Sequence, residues 1–138
     1  MSFYEVIDDI TADAGIRVRA KTLEELFCKT ILATFNEITD IEKISPSKKV
    51  QLEVSGELPY LFADLINELL VLHEKEKFIA KECELVEVKE DGVKVVLVGG
   101  VFDPSVHPSK LVIKAATYHR LKVEKVGEDF VAEVIFDI

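Results

Sequence analysis

The stretch FIAKECELVEVKEDGVKVVLV, residues 78–98, decides the fold class. Phe78 to Glu90 and Val93 to Val98 are β-rich runs on either side of Asp91-Gly92, a dipeptide that closes tight hairpins. The pattern stays β to the end of the chain. Leu111 to Ala116 and Tyr118 to Val126 read as one long strand or two, and Phe130 to Phe136 is the last. Between them, Val101 to Ser109 holds two prolines and reads as loop. Gly99-Gly100 reads as a turn or bulge.

Upstream the period changes. Thr22-Leu23-Glu24-Glu25 is a capping box that opens a helix. Leu23, Leu26, Phe27, Ile31, Phe35 and Ile38 follow at three- and four-residue spacing and form one apolar stripe. Pro59 suits the first turn of a second helix. Its stripe is Leu58, Leu61, Phe62, Leu65, Ile66, Leu69, Leu70 and His73. Phe3 to Asp8, Ala14 to Ala20 and Val50 to Val54 alternate as strands. The order β-β-α-β-α-β-β-β-β is not regular βαβ alternation. It predicts an α+β fold: a largely antiparallel sheet system of about seven strands packed with two helices. Residues 1–138 form a single domain, with no repeat and no linker.

Composition bounds the function. The chain is 49% hydrophobic and 31% charged, which is globular composition. Its net charge of −9 opposes phosphate backbones, so direct nucleic-acid binding is not expected. Acidity suits a cation or a basic partner. No apolar run approaches the ~20 residues that span a bilayer. The first residues carry no basic-then-apolar signal. The protein is expected to be soluble and cytoplasmic, away from membranes. Cys28 and Cys83 form no CxxC or metal spacing, and read as two buried free thiols in a reducing compartment.

The chain has no GxSxG, P-loop, GxGxxG or HExxH signature. His73, His107 and His119 do not fit a zinc spacing. The carboxylates say more. Asp8, Asp9 and Asp13 cluster before Gly15. The last strand runs into Asp137-Ile138 with no polar tail, which reads as a docked terminus. The α-carboxylate of Ile138 would then lie near Asp137, and Asp13 would join them if the two chain ends meet. Converging hard oxygens call for a divalent cation, and calcium, magnesium or manganese would suit them better than a soft-ligand metal. Lys114-Ala115-Ala116-Thr117-Tyr118-His119 is a third constellation. On a regular strand Lys114, Ala116 and Tyr118 would share one face and His119 the other.

These residues resemble the archease family. The resemblance rests on Thr11-Ala12-Asp13 with Gly15-Ile16, Thr22-Leu23-Glu24-Glu25, Phe102-Asp103-Pro104 with His107, the block from Lys114 to His119, and the final Phe136-Asp137-Ile138. It runs through essentially the whole chain. One departure is Ile10, where archeases usually carry histidine, after Asp9. The resemblance implies an accessory protein, not a free-standing enzyme. It implies activation of an RtcB-type RNA ligase of tRNA splicing and RNA repair, by promoting GTP-dependent guanylylation of the ligase and repeated turnover. It also implies a metal site at Asp13, Asp137 and the carboxylate of Ile138, and a need for Lys114, with His119 in the same block. A stand-alone metal-dependent hydrolase of a small phosphorylated substrate, or a chaperone-like binding module, are the alternatives.

Overall fold

The computed structural model describes residues 3–8 and 13–138. Asp9, Ile10, Thr11 and Ala12, which carry part of the resemblance and its one departure, lie outside the described residues. In chain order the elements are β1 (Glu5–Ile7), β2 (Ala14–Ala20), α1 (Leu23–Ile38), a 3-10 turn (Ile41–Lys43), β3 (Lys48–Ser55), α2 (Tyr60–Glu76), β4 (Phe78–Lys89), β5 (Gly92–Val101), β6 (Ala115–Ala116), β7 (Lys122–Val126) and β8 (Asp129–Asp137).

The capping box does start α1. Thr22 Oγ1 accepts from the Glu25 N–H at 3.1 Å. The Glu25 carboxylate returns to the Lys21 N–H, also at 3.1 Å, one residue further back than a standard box. Helix α2 ends at Lys77, whose φ of 61° is left-handed and whose N–H reaches the His73 carbonyl at 2.7 Å.

The strands form two antiparallel sheets. One has the order β1-β2-β8-β6, with β7 also on β8; the other is β3-β5-β4. Helix α1 packs against β2 and β8 of the first sheet and β4 of the second. Helix α2 packs against β6 of the first and all three strands of the second. The helices therefore join the sheets, and their apolar stripes face one core, except that Leu58 precedes α2 and is 42% exposed. Phe27 of α1 stacks on Phe62 of α2, with ring centroids 3.9 Å apart, and Phe35 meets Phe78 edge-on. This is the α+β, largely antiparallel architecture expected from the sequence.

Four details differ. The described residues hold eight strands, because Leu111 to Val126 divides into β6 and β7. Between them Tyr118–Arg120 turns, with Arg120 at a φ of 56°. Asp91-Gly92 also shifts: Glu90 and Asp91 make the two-residue connection, and Gly92 already pairs with Lys89.

Gly99 and Gly100 are not a turn, because both lie inside β5; the irregularity there is on the partner strand, where the β4 register shifts between Ala80, opposite Gly99, and Glu82, opposite Val98. A Cβ on Gly99 would stand 1.9 Å from the Ile79 carbonyl oxygen, and one on Gly100 2.3 Å from that of Ser45. Neighbouring backbone demands glycine here. Gly99→Ala is expected to cost roughly 2–3 kcal/mol, since two strands must part to admit a methyl. Urea unfolding measures it, and an unchanged midpoint would refute the close approach.

The cysteines are not free. Cys28 of α1 and Cys83 of β4 form a disulfide, with Cα atoms 6.0 Å apart. Helical and strand periods 55 residues apart gave no sign that the two positions meet. The contact arises because α1 lies across β4. The thiol argument for a reducing compartment therefore falls away. Among the described residues, no helix is long and apolar enough to cross a membrane.

Candidate functional site

Strand β8 brings the chain ends together. It is flanked by β2 on one side, where Ala14 pairs with Phe136, and by β6 on the other, where Ala115 pairs with Asp137. Asp13 is one step beyond Ala14, and Asp137 one step beyond Phe136. Both therefore lie at the same end of the ladder. Strand β1 reaches that end too, since Ile7 pairs with Gly15 and Asp8 follows. Lys114 immediately precedes Ala115, and its backbone N–H donates to the Asp137 carbonyl at 2.8 Å. Asp13, Lys114, Asp137 and Ile138 thus gather at one sheet end from three regions of the sequence. All four are exposed.

The donor chemistry there is hard oxygen only, the kind that takes calcium or magnesium with water completing the shell. Among the described residues, no three His, Cys, Asp or Glu side chains are grouped to hold a metal. A site at this end would rest on two aspartates and the main-chain carboxylate of Ile138.

His119 does not join this end. It sits exposed on the turn between β6 and β7. The flanking Thr117 N–H bonds the Ile135 carbonyl, and Lys122 pairs with Glu133, so His119 lies between these rungs, further along β8. The shared face expected of Lys114, Ala116 and Tyr118 is also not found. Ala116 is buried while the other two are exposed. Strand β6 is only two residues long, so strand parity does not extend across the block.

Helix α2 holds the block in place by means the apolar pattern did not reveal. Asn67 clamps Ala116 at both backbone groups: its amide donates to the Ala116 carbonyl at 3.0 Å, and its oxygen accepts the Ala116 N–H at 2.7 Å. One helical step away, Asp64 accepts the Tyr118 hydroxyl, and Tyr60 packs against the Tyr118 ring at 5.0 Å. The Asp64 bond is the main reason the Tyr118 hydroxyl titrates above its ordinary range. The signal was present in the sequence. Asp64 and Asn67 are polar residues three apart at the edge of an otherwise apolar helix face.

Asn67→Ala leaves two partly buried backbone groups without partners, at a cost of about 1–3 kcal/mol. Asn67→Asp keeps the acceptor and should recover part of that. Thermal unfolding of both variants tests the clamp. Equal loss in the two would show that the accepted bond from Ala116 contributes nothing.

The other histidines have structural duties. His107 Nδ1 accepts the Asp103 N–H at 2.9 Å, and Ser105 bonds the Asp103 carboxylate. The Ser105 hydroxyl and N–H together lower the Asp103 pKa. His73 Nδ1 donates to the Phe78 carbonyl at 3.0 Å. Burial is the main cause of its lowered pKa, and the nearby Lys77 adds to it. Among the described residues no hydrogen bond couples a histidine to a carboxylate side chain, the pairing that orients a general base.

Comparison with known proteins follows the same lines. Residues 4–138 match the archease protein family (MTH1598/TM1083). The chain is 38% identical over 132 residues to the protein archease of Methanopyrus kandleri, covering 93% of this chain and 94% of the relative. It is 35% identical over 133 residues to that of Pyrococcus furiosus, with the same coverage. Its fold superposes on the solution structure of protein 1598 of Methanobacterium thermoautotrophicum with a TM-score of 0.79, at 27% identity over 100% of both chains. An archease crystal structure from Thermotoga maritima, described as a possible chaperone, matches in fold with a TM-score of 0.66 at 20% identity, over 96% of this chain and 95% of that one.

Proposed function

The chain belongs to the archease family, and from that premise we propose that it is an accessory protein that activates an RtcB-type RNA ligase. It promotes GTP-dependent guanylylation of the ligase and supports repeated turnover in tRNA splicing or RNA repair. The observation that carries this reading is the meeting of Asp13, Lys114, Asp137 and Ile138 at one end of the β2-β8-β6 ladder. Their spacing along the chain is otherwise unrelated. The net charge of −9 supports it as well, because a ligase cleft that holds RNA and GTP must be basic. Long-range attraction would steer this acidic protein toward such a cleft.

Asp13, Asp137 and the carboxylate of Ile138 would hold a divalent cation, calcium first among the candidates. A bound cation would neutralise converging anions and present positive charge at the tip of an acidic protein. Lys114 supplies a second cation beside them. Through its N–H it also fixes the Asp137 main chain, so the two parts of the site share one support.

The ligand set has its own test. Asp13→Ala and Asp137→Ala should each weaken calcium and manganese binding at least tenfold in calorimetric titrations while leaving the fold intact. Residues appended after Ile138 should do the same, because they turn a carboxylate into a neutral amide. Wild-type affinity in all three proteins would remove the metal site. The function is tested by single-turnover guanylylation of purified ligase with and without this protein. An unchanged rate would refute the activator reading.

A further inference from the structure

A cleft of about 440 Å³ opens between the last turns of α2 and the segment 102–114. Its floor is apolar, with Leu70 and Ile113 buried and Phe102 half-buried. Its rim carries exposed apolar side chains next to that floor. Val71 is 47% exposed and Val112 81% exposed, and both line the opening. Three lysines, Lys77, Lys110 and Lys114, also line it, against one acid, Glu74. In a chain of net charge −9 this is a local excess of positive charge. Lys110 Nζ donates to the Asn36 carbonyl at 2.8 Å, which leaves its charge uncompensated. Among the described residues, none of the three lysines has a carboxylate within ion-pairing distance.

We infer that this cleft is a docking site for an apolar side chain flanked by carboxylates on a partner polypeptide. The volume fits one or two large side chains, and the floor rewards their burial. The lysines favour acidic neighbours over basic ones. A small molecule would fill the floor and leave Val71 and Val112 in water. A polypeptide covers the rim as well as the floor, which accounts for exposed valines at the mouth.

The location identifies the partner's class. Lys114 lines the cleft and bonds Asp137 through its backbone. A protein that meets the Asp13 and Asp137 end therefore reaches the cleft in the same encounter. The occupant is a segment of the ligase itself, and this step rests on the proposed function above. The partner is thus held twice: by its basic cleft at the acidic tip, and by an acidic, apolar anchor here.

Val112→Glu and Lys77→Gln change only exposed side-chain atoms, and neither places an anion at the α2 C-terminus, so both variants should melt within a few degrees of wild type and keep its calcium titration. Affinity for purified RtcB-type ligase, measured by interferometry on full-length proteins, should fall about tenfold or more in each. Val126→Glu, at a valine on β7 that is 41% exposed and lies outside the cleft lining, should bind as wild type does. Wild-type affinity in Val112→Glu overturns the inference. A concentration-dependent dimer in light scattering, abolished by Val112→Glu, would make a second copy of this chain the occupant and also overturn it. If the wild-type protein binds no ligase, the proposed function fails and takes this occupant with it. The cleft is then judged separately with 8-anilinonaphthalene-1-sulfonate, an apolar anion. One-to-one binding lost in Val112→Glu supports the cleft, and no binding refutes it.

Discussion

Replacing both cysteines, Cys28→Ser with Cys83→Ser, is expected to lower the melting temperature by roughly 10–15 °C. The disulfide ties α1 to β4 across 55 residues of chain. Loop-closure entropy assigns about 3 kcal/mol to a 15-residue loop and about 4.7 to a 100-residue loop, so this bond contributes about 4 kcal/mol. Unfolding entropy of roughly 2.1 cal/mol/K per residue converts that figure to about 14 °C for a chain of this length. Serine is nearly isosteric, and both positions are only half-buried, so little packing is lost with the bond. The core beside it keeps α1 on the sheet, with Leu26, Phe27 and Ile31 each at most 1% exposed. Differential scanning calorimetry of wild type, reduced wild type and the double variant decides the matter. Reduced wild type should match the variant. Coincident melting curves for all three would show that the bond does not constrain the unfolded chain.

The disulfide also marks where reading the sequence stops. Helices, strands and their apolar faces follow periods that neighbouring residues set, so α1, α2 and the β4-β5 hairpin could be read directly. Cys28 and Cys83 each obeyed the period of its own element, and nothing local signalled that they would meet. Gly99 failed for the same reason. Its need to be glycine comes from Ile79 on the neighbouring strand. The chain ends were half legible. Asp13, Asp137 and Ile138 could be grouped by supposing that the terminus docks, and the β2-β8 register brings the two ends to one place. Lys114 stands out within its block, but its tie to Asp137 belongs to pairing that no spacing encodes. Helical periodicity treats Asn67, a polar residue off the stripe, as solvated. Its amide instead meets the backbone of β6, more than forty residues away in the chain.

Lys114→Ala is expected to reduce ligase guanylylation to the rate of the ligase alone while leaving the protein's stability within about half a kcal/mol of wild type. The two effects separate because the lysine acts through different atoms. Its backbone N–H, which holds the Asp137 carbonyl at 2.8 Å, is retained by alanine. Metal affinity should therefore survive, and only the exposed ammonium is lost. Lys114 belongs both to the carboxylate end, through its backbone bond to Asp137, and to the lining of the apolar cleft. From there it can meet an anionic group of the ligase or its GTP when the two proteins come together. Lys114→Arg should restore part of the activity, because the charge returns on a wider, planar donor. Lys114→Pro removes the N–H as well and should lose calcium binding together with activation. Single-turnover guanylylation with equal amounts of each protein, read beside calorimetric calcium titrations, distinguishes these cases. Wild-type stimulation by Lys114→Ala would reduce the lysine to a solvated edge residue. Loss of calcium binding in Lys114→Ala would mean that its side chain, not its backbone, supports the Asp137 end.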